Sequence, residues 1–273
     1  MTVLETGTDH LLGEVDDGVA VLTLNRPERR NAFSGPMLEA LAQVLDVLEN
    51  DGAVRCVVLT GAAGAFCAGG DVKAMAERDA ASGERLPLDE VIRRQRENQR
   101  ATAGRLWSMT KPTIASIPGP AAGAGLALAL ACDLRYAAEG SVLTTAFARV
   151  GFSGDYGGTW FLSRLVGAAK AKELYFFSER IEASEAERLG IINAVFPAAE
   201  LEGEVAKRAK QLAEGPAIAY RYMKENLNRA VNGDLWDCLD LEATHHVHTG
   251  TTEDHKEAAR AFVDKRQPRF HGR

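Results

Sequence analysis

The first half of the chain is organised by short apolar runs that alternate with segments of helical periodicity. Val19–Leu24 is a run of strand-forming residues, and a polar loop containing Pro27 follows it. After Ser34, leucine and alanine recur at helical spacing as far as Leu48. Ser34 is the expected N-cap, because its hydroxyl can accept from the free N–H groups of the first turn. The pattern predicts one strand-loop-helix unit.

The same unit recurs twice. Arg55–Thr60 predicts a second buried strand, and a glycine-rich loop ends at Gly70, before a helix that Asp71 could cap. Ile114–Ile117 predicts a third strand, which leads into an apolar helix at about residues 122–131. Three such units predict an α/β fold with functional loops at the strand ends.

The rest of the chain contains a charged stretch and a helical C-terminal third. Residues 78–99 are polar and highly charged, which predicts a mobile segment followed by a helix. The pattern beyond residue 158 predicts helices at Thr159–Val166, Ala169–Phe177, Ser184–Leu189, Leu201–Ala213, Ala217–Val231, Leu235–His248 and Glu253–Lys265. We expect a core domain over residues 1–198 and a helical region over residues 199–273.

Composition narrows the class of protein. A chain of 273 residues with 46% hydrophobic residues can bury a sizeable core. Its formal net charge of −6 predicts neither a nucleic-acid partner nor an anionic membrane partner. The four cysteines form no C-x-x-C pair, and the acidic N-terminus lacks the apolar region of a signal peptide. These features predict a cytoplasmic protein without a zinc site.

Six stretches together resemble one known family. They are Asn25–Ser34, Val57–Asp71, Ile117–Asp133, Asp155–Thr159, Ala186–Asn193 and Glu253–Arg266. In this order they are similar to the enoyl-CoA hydratase/isomerase (crotonase) superfamily, over nearly the whole chain. The resemblance implies a crotonase-like spiral of β-β-α turns and a C-terminal helical trimerisation region. It also implies an acyl-CoA thioester substrate, a homotrimer or dimer of trimers, and neither a metal nor a redox cofactor.

The glycine-rich loops would provide an oxyanion hole. Two converging backbone N–H groups stabilise the negative charge that develops on a thioester carbonyl oxygen. By resemblance the donors would be the N–H groups of Ala68 and Ala124. The alternative interpretation is that the glycines of the two loops are only turn and helix-entry residues. The glycines at 123 and 125 also resemble a dinucleotide-binding fingerprint, but Leu128 stands where the third glycine would be.

The family resemblance leaves the reaction open. Hydratases of the family activate water with two glutamates, and the corresponding positions here are Ala127 and Phe147. Asp155 corresponds to the catalytic aspartate of some isomerases in the family. Moving a proton between two carbons needs one base, for which a pKa of about 6 to 7 is suitable. The alternative for Asp155 is an N-cap on the helix that follows.

The resemblance also indicates residues for the coenzyme. Arg26, Arg30 and Lys73 would contact its phosphates or adenine, and Phe262 and Lys265 would contact the coenzyme of a neighbouring subunit. Each basic residue could equally be an ordinary solvated side chain.

Three functions follow in order of preference. The first is enoyl-CoA double-bond isomerisation through an enolate, the second is enoyl-CoA hydration, and the third is acyl-CoA binding without catalysis. Other reactions of the superfamily share the same oxyanion chemistry. A nucleophilic role for Cys67 and a metal site at His245 and His248 are less favoured, because no side chains complete either pattern.

Overall fold

A computed structural model of the chain describes residues 1–80 and 86–273. Residues 81–85, in the predicted mobile segment, lie outside the described residues. The strands are β1 (Thr2–Val3), β2 (Leu11–Asp16), β3 (Val19–Leu24), β4 (Cys56–Gly61), β5 (Thr113–Ile117), β6 (Ala121–Ala122), β7 (Leu134–Ala138), β8 (Val142–Thr144), β9 (Ile181–Glu182) and β10 (Ala194–Phe196).

The helices follow the predicted order closely. They are α1 (Gly35–Asn50), α2 (Val72–Ala80), α3 (Leu88–Gln99), α4 (Arg105–Ser108), α5 (Ala124–Leu130), α6 (Gly158–Phe177), α7 (Ala183–Arg188), α8 (Leu201–Ala213), α9 (Ala217–Ala230), α10 (Leu235–Thr249) and α11 (Glu253–Val263). A π-helical turn, Arg100–Gly104, joins α3 to α4. Gly167 has a positive φ of 77° inside α6, which explains why the pattern predicts two helices there.

Two sheets organise these elements. In the described part of the chain, the larger sheet has the order β1-β2-β3-β4-β5-β7-β10, and the smaller has the order β6-β8-β9. The chain adds one strand to each sheet and then a helix, as in β5-β6-α5 and again in β7-β8-α6. Strands β3, β4, β5, β7 and β10 pair in parallel. This confirms the predicted α/β class and the repeated β-β-α turn.

The predicted side-chain caps form at the starts of α1 and α2. The Ser34 hydroxyl accepts from the Met37 N–H at 3.2 Å, and Asp71 accepts from the Ala74 N–H at 3.0 Å. The antiparallel pairing of β1 with β2 and of β2 with β3 was not predicted, because the polar residues of the N-terminal segment mask its strand pattern.

The C-terminal helices pack in two ways. Helix α8 covers one face of the larger sheet, where Leu201, Val205 and Ala209 join a buried cluster with strand residues such as Val58. Helix α9 is fixed by Lys224, whose ammonium group donates to Asp133 at 2.8 Å. The division at residue 198 therefore falls before a helix that packs on the core, and a separate role for residues 199–273 stays a prediction.

Candidate active site

The glycine-rich loop after β4 lies directly against the start of α5. Gly69 has a φ of +83°, and a Cβ built on it would lie 2.6 Å from the Ala122 carbonyl oxygen and 3.0 Å from the Ala124 nitrogen. A Cβ on Gly125 would lie 2.5 Å from the Cys67 carbonyl oxygen. Both positions require glycine, so the absence of side chains is what brings the two loops together.

The structure corrects one of the two predicted oxyanion donors. The Ala68 N–H already donates to the Arg30 carbonyl oxygen at 2.9 Å, so the prediction that Ala68 is a free donor is wrong. Among residues 1–80 and 86–273, the N–H groups of Gly70 and Ala124 have no acceptor within hydrogen-bonding distance. Gly70 therefore replaces Ala68 as the candidate donor of this loop, and Ala124 stays a candidate.

Sequence alone did not reveal this exchange. Arg30 adopts a left-handed conformation with a φ of 49°, which ends the short helical turn Pro27–Arg29 and leaves its carbonyl free to accept from Ala68. That contact joins residues 38 positions apart in the chain, and no local pattern shows it. The Gly69-Gly70 pair was the available signal, because adjacent glycines favour close approach of a ligand to the backbone.

Asp155 is a half-buried carboxylate with little hydrogen bonding. Its Oδ1 is buried and has no hydrogen-bond partner among the described residues, whereas its Oδ2 accepts from the Gln95 amide at 3.4 Å. Burial raises the pKa of Asp155 from 3.8 to about 6, because the charged form loses solvation. The carboxylate is thus a candidate general base that can both release and accept a proton near neutral pH.

The alternative role of Asp155 as a helix cap is not supported. Gly157 is the N-cap of α6, and no side chain caps that helix. Only the backbone carbonyl of Asp155 takes part in the helix start, accepting from the Gly158 N–H at 3.0 Å. The Asp155 side chain therefore does not cap α6.

The two positions where hydratases of the resembled family carry glutamate are apolar and closed. Ala127 is buried in α5, and Phe147 is buried with its ring stacked on Tyr175 at 5.8 Å between centroids. A Cβ on Gly158 would lie 3.0 Å from the Ala127 Cβ and 2.5 Å from the Tyr175 hydroxyl oxygen. This wall of the site has no space for a second carboxylate without rearrangement.

The residues predicted to bind the coenzyme fall into two groups. Arg26 points inward: its guanidinium donates to the Ala32 carbonyl at 2.8 Å and pairs with Asp71 at 3.2 Å. The prediction that Arg26 contacts phosphate conflicts with this geometry, since Arg26 fixes the first loop to the second. Arg30 and Lys73 are exposed on the adjoining loop and on the first turn of α2, where a phosphate could reach them.

Phe262 and Lys265 lie at the end of the last helix. Phe262 is 85% exposed, and Lys265 is exposed just after α11. In the described part of this single chain, no hydrogen bond or ion pair connects them to Arg30 or Lys73. They stay predicted contacts of a neighbouring subunit.

The less favoured chemistries gain no support. Burial raises the pKa of Cys67 to about 12, so the thiol stays neutral and fills space. His245 stacks on Tyr222 with 4.1 Å between ring centroids, and its Nδ1 lies 2.6 Å from the Asn226 Oδ1. No group of side chains suited to a metal ion occurs in residues 1–80 and 86–273.

Comparison with known proteins decides the family. The sequence model of the enoyl-CoA hydratase/isomerase family matches residues 14–273. The chain belongs to this family. It is 38% identical over 260 residues to a "Probable enoyl-CoA hydratase" of Rhodobacter capsulatus, covering 95% of this chain and 97% of that protein. It is 35% identical over 265 residues to the 1,2-epoxyphenylacetyl-CoA isomerase of Escherichia coli, covering 97% and 99%.

Solved structures agree with this assignment. A crystal structure of an enoyl-CoA hydratase from Polaromonas superposes with a TM-score of 0.88 at 34% identity, covering 96% of this chain and 99% of that one. The fold is therefore the crotonase fold that the motifs predicted, and the protein is an acyl-CoA enzyme of that superfamily. Among the described residues, no helix is both long and apolar enough to cross a bilayer.

Proposed function

We propose that this protein isomerises a carbon–carbon double bond in an enoyl-CoA thioester. The observation that carries the proposal is the Asp155 carboxylate, whose pKa is raised to about 6 and whose Oδ1 has no partner among the described residues. The adjoining wall has the apolar side chains of Ala127 and Phe147 in place of the two family glutamates. One base suffices to move a proton between two carbons, whereas orienting and deprotonating water in the family manner takes two glutamates.

The proposed reaction has two proton transfers. Starting from a 3-enoyl thioester, ionised Asp155 removes a proton from the α-carbon, and the electron pair delocalises onto the thioester oxygen as a dienolate. The N–H groups of Gly70 and Ala124 stabilise that charge. Asp155, now protonated, returns the proton to the γ-carbon, and the double bond lies between the α- and β-carbons. Atoms and charge balance without water.

The raised pKa suits both steps. A carboxylate of ordinary acidity would be a weak base towards carbon, whereas burial makes Asp155 more basic without a charged neighbour. The Asp155 carboxylate acts in turn on Tyr156 and Tyr175, and burial raises the pKa of each hydroxyl above its usual value, so both stay neutral.

Hydration is the second candidate. The Rhodobacter capsulatus relative is named a hydratase, which favours this alternative, although the wall formed by Ala127 and Phe147 offers no group to hold the water. The Escherichia coli relative, at nearly the same identity, is named a 1,2-epoxyphenylacetyl-CoA isomerase, so its name supports isomerisation of an acyl-CoA but specifies an epoxide rather than a double bond. If the protein bound acyl-CoA without catalysis, the burial of the Asp155 Oδ1 would have no functional explanation.

We extend the proposal to the coenzyme and the assembly. Arg30 and Lys73 are the candidate phosphate contacts, and the coenzyme enters as part of the substrate rather than as a separate cofactor. Exposed apolar side chains on α9 to α11, including Leu227, Trp236 and Phe262, would be covered in a trimer or a dimer of trimers. Sedimentation velocity at micromolar protein tests this, and a monomer at all concentrations would contradict it.

The cytosol is the proposed compartment. Cys56, Cys67 and Cys132 are buried free thiols, which is typical of proteins from reducing compartments.

The decisive experiment follows matched 2-enoyl-CoA and 3-enoyl-CoA substrates in deuterated water by mass spectrometry. A shifted double bond that carries deuterium, without added water, is expected. A product heavier by one water would establish hydration instead. Absence of both products and of deuterium exchange would favour the non-catalytic alternative.

Asp155→Asn removes the base while keeping the shape of the side chain. We expect kcat to fall by about 10² to 10⁴-fold, the usual contribution of a general base. The matched control is Asp46→Asn, because Asp46 forms only an exposed ion pair with Arg105 at 2.8 Å on the outer face of the molecule. Full turnover in Asp155→Asn would exclude Asp155 as the proton carrier.

A further inference from the structure

Two glutamines of α3 form hydrogen bonds with the turn that carries Asp155. Gln95 and Gln99 are four residues apart, so they lie on one face of the helix. The Gln95 amide donates to the Asp155 Oδ2 at 3.4 Å, and the Gln99 Oε1 accepts from the Tyr156 N–H at 2.8 Å. One helix face therefore contacts both the candidate base and the residue after it.

Helix α3 presents a half-buried polar face to the turn that carries Asp155. None of its residues is buried, and Gln95, Asn98 and Gln99 form a half-buried face that opposes exposed ion pairs. One such pair joins Arg93 to Glu90 at 2.7 Å on the outer face. The π-helical turn that follows is anchored by buried Thr102, which fixes the end of α3 nearest Gln99. Such turns are frequent at functional sites.

The turn that carries Asp155 has a strained backbone. Tyr156 has a φ of +48°, in the left-handed region that a bulky residue rarely adopts. A conformation of this kind persists only when its surroundings hold it. The hydrogen bond from the Tyr156 N–H to Gln99 is one such restraint, and the packing of the Tyr156 ring on Phe33, with 5.2 Å between centroids, is another. The placement of Asp155 therefore depends on α3.

We propose that Gln95 and Gln99 are positioning residues for Asp155, Gln95 by engaging Oδ2 so that Oδ1 is left for the substrate, and Gln99 by holding the strained turn. The inference rests on the proposed function of Asp155 as the proton carrier. Within residues 1–80 and 86–273, the side chains that interact with the Asp155 carboxylate are Gln95 from α3, Tyr175 from α6 and Tyr156 from its own turn, and none of them is charged.

The electrostatic consequence has a definite sign. An amide N–H donated to a carboxylate favours the ionised form, so its loss raises the pKa of Asp155 further above 6. The 3.4 Å bond is long, so the effect should be modest. We expect the acid limb of kcat/KM to move upward by about 0.5 to 1 pH unit in Gln95→Leu. Activity at pH 6.5 should then fall about 1.5- to 3-fold and recover at pH 8.5.

Gln95→Glu sharpens the test because it replaces the donor with a like charge. Its acid limb should lie above that of Gln95→Leu, since two neighbouring carboxylates disfavour ionisation. Gln99→Leu should lower kcat about 10-fold or more with little change in KM. The substitution removes a restraint on the position of the Asp155 carboxylate and leaves the substrate contacts in place. Gln43→Leu, an exposed glutamine on α1, is the control and should match the unsubstituted protein.

A second measurement does not depend on turnover. An infrared titration of the protonated-carboxyl band, assigned by its loss in Asp155→Asn, reports the ionisation of Asp155 directly. An upward shift in Gln95→Leu and a larger one in Gln95→Glu would support positioning by Gln95 even if the protein proved not to be an isomerase. Isomerisation with unshifted titrations and an unshifted acid limb would overturn the positioning inference while leaving the proposed function intact.

Discussion

The two walls of the site are built in contrasting ways. One wall is backbone: Gly69 contacts Ala122 and Ala124 so closely that no side chain fits, and the N–H groups of Gly70 and Ala124 have no acceptor in the part of the chain that the structure describes. The other wall consists of side chains: Ala127 and Phe147 are apolar, and Asp155 supplies the carboxylate that we propose moves the proton. The backbone wall suits any reaction that builds charge on a thioester oxygen, whereas the side-chain wall selects among those reactions.

The contrast teaches where specificity can change most easily. A glycine contact at 2.6 Å tolerates no substitution, so the backbone wall is fixed once the fold is chosen. Exchanging a glutamate for alanine or phenylalanine alters one side chain and leaves the sheets intact. Membership of the family therefore indicates the thioester and the oxyanion hole with more force than it indicates the reaction.

Among variants of the backbone wall, removal of an oxyanion donor should have the largest effect on activity. Ala124 is the first residue of α5, where proline is tolerated because that N–H has no partner within the helix. Ala124→Pro should lower kcat by about 10² to 10³-fold, as loss of one oxyanion donor does elsewhere. The unfolding midpoint should change little.

Leu235→Pro is the matched control for that variant, because Leu235 is the exposed first residue of α10 and its N–H is likewise not used by the Asp234 cap. It should keep full activity. Unimpaired turnover in Ala124→Pro would remove Ala124 from the oxyanion hole.

The contact between the loops can be tested next. Gly69→Ala would place a Cβ 2.6 Å from the Ala122 oxygen at a φ of +83°, so both strain and steric overlap should destabilise the protein, by about 2 to 4 kcal/mol. Gly7→Ala has a comparable φ of +74° with no atom within 4 Å of the new Cβ, so it should cost only about 1 kcal/mol. Chemical denaturation compares the two, and equal losses would show that the loops are not in close contact.

The ionised Asp155 carboxylate should support activity while it lowers the stability of the folded protein. Because the folded pKa of Asp155 is raised from 3.8 to about 6, the ionised carboxylate opposes folding above pH 6, and its protonation favours folding as pH falls towards 4. The rise corresponds to at most about 3 kcal/mol, and screening of a half-buried group reduces it to about 1 to 2 kcal/mol.

Asp155→Asn should therefore stabilise the protein by about 1 to 2 kcal/mol at pH 7.5, with the gain vanishing near pH 4. Denaturation curves at both pH values measure it. A gain that does not depend on pH would contradict a raised pKa for Asp155.

The smallest effect should come from the coenzyme contacts. Lys73→Ala should raise KM by about 3- to 10-fold without changing kcat, and added salt should reduce the difference, since an exposed ammonium contributes screened attraction to phosphate. Arg26→Ala should instead destabilise the protein, because Arg26 joins Ala32 to Asp71. Steady-state kinetics at two salt concentrations, with thermal unfolding of both variants, separate the two roles.

Local pattern predicted the elements well and their long-range contacts poorly. Residues such as Ser34 and Asp71 specify helix starts through capping within three residues, so the sequence shows them. The occupation of the Ala68 N–H by Arg30 and the inward turn of Arg26 depend on loops from different turns of the spiral. The hydrogen bond from Gln95 to Asp155 joins residues 60 positions apart, so no local sequence pattern indicates it.

The sequence by itself determined the α/β class, the order of the elements, the family and the absence of both hydratase glutamates, because these depend on periodicity and on residue identity at motif positions. Only the tertiary structure decided that Gly70 rather than Ala68 is the free donor and that Asp155 is half-buried without a cap to form. The physical reason is that hydrogen-bond occupancy and desolvation belong to contacts between distant segments, and those contacts exist only once the chain has folded.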